Sequence, residues 1–150
     1  LDLGYRIEYN DKIVVTMYDT EPYRNVMAEG INIDDLDEFD KISFEEGEEE
    51  VKKQTAKHKK FPVNADLLIY DSQYTKQEYE GKKGWGHSYI DYAIDTANEA
   101  NVKRLALFHH DPLRNDKQVD EFQIYAQNYV SSGNRDMQVF CARERLEVSF

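Results

Sequence analysis

Residues 103–112 read KRLALFHHDP, an apolar run that stops abruptly at two histidines, an aspartate and a proline. Leu105 to Phe108 contains no turn former and follows a helix-like segment, so it reads as a buried strand. In open α/β sheets, ligands bind outside the carboxyl ends of the strands, which makes the polar residues just after such a run site candidates. His109 and His110 could be metal ligands, acid or base groups, or the polar edge of a loop. Neighbouring strand residues point to opposite faces, so the two cannot easily serve one ion.

Working outward, the segment before this strand carries Ile90, Ala93, Ile94 and Ala97 at helical spacing over Tyr89 to Ala100, with Ser88 as the expected N-cap. Before it lies the Lys- and Gly-rich loop KQEYEGKKGWGHS, and before that ADLLIYDSQYT, a second buried strand ending near Asp71. After the HHDP stretch, Val119, Phe122, Ile124, Tyr125 and Tyr129 mark a helix over about Asp116 to Val130. Two short strands, Gln138 to Ala142 and Leu146 to Phe150, are expected to follow it. At the other end, Gly4 to Tyr9 and Lys12 to Tyr18 flank Asn10-Asp11, the signature of a hairpin. Strand and helix in alternation indicate one α/β domain over 1–150, with a mixed sheet and flanking helices.

Residues 24–63 break this pattern and read as a charged insertion. Ten acidic residues lie between Ile33 and Val51, and five lysines with His58 lie between Lys52 and Lys60. Opposed charge blocks of this kind form a solvated helix or a mobile segment, and His58 is expected to be solvated within them.

Composition narrows the function classes. The chain has 30 acidic against 19 basic residues and a net charge of -11, which argues against a surface that wraps nucleic acid unless a cation or partner supplies positive charge. The single Cys141 excludes an internal disulfide and a cysteine-cluster zinc site. It fits a reducing compartment, and a cytoplasmic location is the expectation. No apolar run approaches the roughly 20 residues that span a bilayer. The chain opens on a strand pattern without an initiator Met, which suggests a fragment or a processed chain.

Asp19, Asp71, His87 and His109 each stand at a strand end or after a glycine-rich turn. Imidazole and carboxylate delivered to one rim suit a divalent ion, and a carboxylate can bridge two. In order, LGYRIEY with YDTEPY, ADLLIYDSQYT, GWGHS and KRLALFHHDP resemble the carboxyl-terminal half of the metallo-β-lactamase-fold hydrolases. The similarity is to the bacterial branch related to ribonuclease Z and cyclic-nucleotide phosphodiesterases. It covers residues 1–23 and 64–150, and implies half of an αββα sandwich.

The resemblance implies that Asp19 is the bridging metal ligand and His109 the last metal-binding histidine. It implies that His87 is the substrate-side catalytic histidine, with Asp71 orienting its imidazole. His110 and Asp111 receive no ligand role and read as loop structure. Two divalent ions, zinc or manganese or iron, are the implied cofactors. The family's His-x-His-x-Asp-His cluster, which supplies most ligands, has no counterpart in this sequence. The chain alone is therefore expected to be inactive and to bind zinc weakly.

Two function classes stay open. One is part of a metal-dependent hydrolase acting on a small-molecule or nucleotide phosphodiester. The other is a non-catalytic half-domain that binds a partner. With 11 Tyr and 7 Phe, a half-fold would leave apolar surface for an amino-terminal half, a partner chain or a second copy to cover.

Overall fold

The computed structural model of the protein describes residues 4–150. The first three residues of the segment resembling the hydrolases lie outside the described residues. Two strands, β1 (Gly4–Tyr9) and β2 (Lys12–Met17), pair antiparallel around Asn10 and Asp11, whose φ values of 47° and 59° form the tight turn read from the sequence. After two short 3-10 turns comes α1 (Glu38–Lys60), then β3 (Leu67–Asp71), α2 (Lys76–Glu80), α3 (Ile90–Glu99), β4 (Arg104–Phe108), α4 (Asp116–Ser132) and β5 (Gln138–Cys141). The sheet order is β1-β2-β3-β4-β5, with every pair after the hairpin parallel. This is the mixed α/β sheet with flanking helices that the sequence implies.

Alternation along the strands builds one core face. Val15 and Met17, Leu68 and Tyr70, Leu105 and Leu107, Val139 and Cys141 share a buried cluster with Ile90, Ala93, Ile94 and Ala97 of α3 and Phe122, Ala126 and Val130 of α4. The opposite face carries Tyr5, Thr16, Ile69, Ala106 and Phe140 in one register row and Ile7, Val14 and Leu67 in the next. Tyr5, Ile7 and Tyr9 are exposed there.

Three expectations are corrected. Leu146 to Phe150 forms no strand. Instead, Arg104 Nη1 donates to the Ser149 carbonyl at 2.8 Å and the guanidinium lies over the Phe150 ring at 4.4 Å, so the tail crosses the second face rather than extending the edge. Ser88 is not an N-cap. Tyr74 and Tyr89 form a parallel bridge, with Tyr74 N–H donating to Ser88 O and Ile90 N–H to Tyr74 O, so Ser88 sits in extended backbone and α3 starts after Tyr89.

His58 is not solvated. It is 8% exposed, and its Nε2 lies 2.6 Å from the Tyr70 hydroxyl, itself fully buried. The last turn of α1 docks on the sheet there, with the Lys59 ammonium paired to Glu99 at 2.7 Å. In α1 Glu38 and Asp40 stand in the first turn and Lys57, Lys59 and Lys60 in the last, which complements the helix dipole, and Asp37 caps the start by accepting from Asp40 N–H at 2.8 Å. Among the described residues no helix is long and apolar enough to cross a membrane.

α4 begins in a capping box: Asn115 accepts from Gln118 N–H at 3.0 Å, and the Gln118 side chain accepts from Asn115 N–H at 2.9 Å. Asn115→Ala is expected to lower unfolding free energy by about 1 kcal/mol, read from the urea midpoint. An unchanged midpoint would show that tertiary packing alone fixes the helix start.

Candidate metal centre

Three of the four predicted site residues leave the carboxyl ends of parallel strands. Asp19 lies two residues beyond β2, Asp71 ends β3 and His109 follows β4 directly. His87 reaches the same rim from the loop before α3. Each residue offers one ligand atom, and these atoms all lie within 4.8 Å of one another. Asp19 (φ 45°) and His109 (φ 62°) both adopt left-handed backbone, a region uncommon for residues other than glycine and one where strain gathers at functional sites.

Asp71 is fully buried, and its carboxylate gathers donors. Oδ1 accepts from Gln73 N–H and Ser88 N–H at 3.3 Å each, and Oδ2 lies 2.7 Å from His87 Nδ1. Burial pushes the Asp71 carboxyl above its ordinary range, and the His87 hydrogen bond and charge pull it back. With a carboxylate on one side, the imidazole carries its proton on Nδ1, which leaves Nε2 as its second, free nitrogen. Asp71 therefore has the geometry of an orienting group.

Asp19 and His109 form the second pair. Asp19 Oδ1 lies 3.2 Å from His109 Nε2 and 3.8 Å from His87 Nδ1. Zinc ligands at 2.0–2.1 Å in tetrahedral array are about 3.3 Å apart, so the Asp19–His109 separation suits a shared cation. The Asp19 side chain is exposed and can accept a second ion, while His109 Nδ1 is buried without a hydrogen-bond partner. The His87 and His109 rings stack at 4.5 Å between centroids. Carboxylate oxygens with imidazole nitrogens form a donor set that zinc, manganese and iron all accept, and these residues fit such an ion.

His110 stays outside this group, with burial pushing its imidazole pKa down. Asp111 accepts from Leu113 N–H at 2.9 Å and forms a turn. Sequence reasoning missed Glu21, whose carboxylate accepts from the backbone on both sides of Trp85 in the loop before His87. Its signal in the sequence is weak: one more acid, two residues past Asp19.

No family model matches the chain. Among curated proteins it is similar to ribonuclease Z of Picrophilus torridus, 34% identical over 92 residues that make up 59% of this chain and 29% of the relative. It is also similar to ribonuclease Z of Thermococcus sibiricus, 41% identical over 59 residues that make up 39% of this chain and 19% of the relative. The matches thus span less than a third of either relative's length, and they support the metallo-β-lactamase superfamily that the ordered motifs resemble.

Proposed function

We propose that this chain is the carboxyl-terminal part of a metal-dependent hydrolase that cleaves phosphodiester bonds. The observation that carries the reading is the convergence of Asp19, His87 and His109 on one rim, with His87 tied to the buried Asp71. The partial similarity to two ribonucleases supports the phosphodiester class. Asp19 and His109 would hold divalent cations together with histidine and aspartate ligands from outside this chain. Such cations supply positive charge to a phosphoryl oxygen and acidify water.

The chain's own residues do the rest. Asp71 fixes the His87 tautomer, so that Nε2 faces the leaving group and either donates a proton to it or hydrogen-bonds the developing charge. His109, stacked on His87, limits the rotation of that ring. The electronegative balance of the chain makes cation charge a requirement for an anionic substrate.

The apolar face bearing Tyr5, Ile7 and Tyr9 supports association with a further sheet layer, from an amino-terminal half or a partner chain. Residues 24–63, in this reading, are an insertion between β2 and β3.

Metal analysis of the native full-length protein tests the proposal. We expect about two ions per molecule, lost together with hydrolysis of bis(p-nitrophenyl) phosphate in Asp19→Ala and His109→Ala. Folded variants that keep both metal and turnover would overturn it.

A further inference from the structure

Glu21 shares a loop with Asp19. Its Oε1 accepts from the Tyr79 hydroxyl at 2.9 Å and from Gly84 N–H at 2.6 Å, and its Oε2 accepts from Gly86 N–H at 3.1 Å. Arg24 Nε stands 3.5 Å from Oε1, and the Glu21 side chain is 15% exposed. Bonds to a shielded carboxylate are stronger than those between neutral groups. Burial, reinforced by the bond to Glu21, keeps the Tyr79 hydroxyl protonated, as a donor must be.

Within the loop itself the backbone adds one turn bond, Trp85 N–H to Lys82 O at 3.1 Å. Gly84 and Gly86 adopt φ values of 86° and 87°, open to glycine and costly to other residues. Trp85 between them is 61% exposed, with the Lys82 ammonium over its ring at 3.8 Å, so it gives no buried anchor. His87 follows Gly86 directly. Asp71 fixes the direction of the His87 ring, but the backbone that carries the ring is set by the Gly84–Gly86 segment.

We propose that Glu21 is a positioning residue that clamps the Gly84–Gly86 loop and so holds His87 against Asp19 and His109. One side chain thereby joins the loop of a metal ligand to the loop of the proton donor. This inference rests on the hydrolytic reading of the site for its effect on rate, but not for its effect on the loop. Displacing a catalytic group by about 1 Å can cost up to 10²-fold in rate.

The test uses the full-length protein with Glu21→Ala and Glu21→Gln. Amide exchange at 84–87, exchange in β3 as an internal control, metal content and steady-state kinetics on bis(p-nitrophenyl) phosphate are measured on the same preparations. For Glu21→Ala we expect faster exchange confined to the loop, unchanged metal content, unchanged KM and kcat lower by about tenfold. Glu21→Gln, which keeps an oxygen for one of the two amides, should recover part of kcat, and it remains the test if the alanine variant does not fold. Unchanged loop exchange in Glu21→Ala overturns the proposal, as does loss of metal in parallel with activity. Loosening of the loop in a protein whose wild type hydrolyses no phosphodiester supports the clamp and defeats the hydrolase reading instead.

Discussion

In the complete, metal-replete protein, His87→Ala should lower kcat by about 10² to 10⁴ and leave metal content unchanged, the range for loss of a general acid or a charge-stabilising donor. The expectation follows from the ring's place on the rim. His87 Nδ1 is held at 2.7 Å by Asp71, which no solvent reaches, so Nε2 is the nitrogen available to a substrate. Asp19→Ala and His109→Ala should behave differently, reducing metal content and turnover together. Steady-state kinetics with elemental analysis separate the two classes. A His87→Ala enzyme with full metal and full turnover would remove His87 from the chemistry and leave it a structural neighbour of His109.

The second large effect concerns acid stability. Burial, with a smaller contribution from the Lys59 charge, lowers the His58 pKa from 6.5 to about 4. The neutral ring is favoured in the folded protein, whereas the unfolded chain takes up a proton as soon as pH falls below about 6.5. Stability from this group is therefore fully present above pH 6.5, is lost as pH falls toward 4, and levels off once the folded protein is protonated as well. At 1.36 kcal/mol per unit, the loss is on the order of 3 kcal/mol. Tyr70, Tyr23 and Tyr92 surround the ring and offer no carboxylate to offset the charge. His58→Gln keeps a donor near the Nε2 position toward Tyr70 but does not titrate. The gap in unfolding free energy between wild type and His58→Gln should shift in favour of the variant by about that amount between pH 7 and pH 4.5. Parallel curves for the two proteins would show that His58 takes up its proton as readily in the fold as in the unfolded chain.

Much of this arrangement was legible in the residues. Leu67–Asp71 and Leu105–Phe108 are apolar runs bounded by polar residues, and Asn10-Asp11 supplies two positive-φ positions between strand-like stretches. That Asp19, Asp71, His87 and His109 meet on one rim was legible because each follows such a run or a glycine turn. Other features depend on contacts between distant segments. Ser88 lost its capping role to the Tyr74–Tyr89 bridge, and the tail lost its strand to Arg104. His58 sits among lysines, and only the docking of the last turn of α1 on Tyr70 shows which of these polar residues points inward. Glu21 is one acid among 30, and its meaning lies in two glycine amides more than sixty residues away in sequence.

The sheet order, which repeats the chain order from β1 to β5, bears on how the molecule is made. A chain leaving the ribosome lays each strand beside the one just placed, and none has to be threaded between two partners already paired. The hairpin alone is marginal in water, so persistent structure should wait for β3 and the helix that covers it. The stretch between β2 and β3, residues 18–66, delays that moment but adds little to its free-energy cost, since doubling a loop costs only about 0.6 kcal/mol. Stalled nascent chains with β4 outside the exit tunnel should already resist proteolysis across β2 and β3, whereas chains stalled within α1 should not. The rim would then be assembled in sequence, Asp19 waiting for Asp71 and His87, and His109 arriving last.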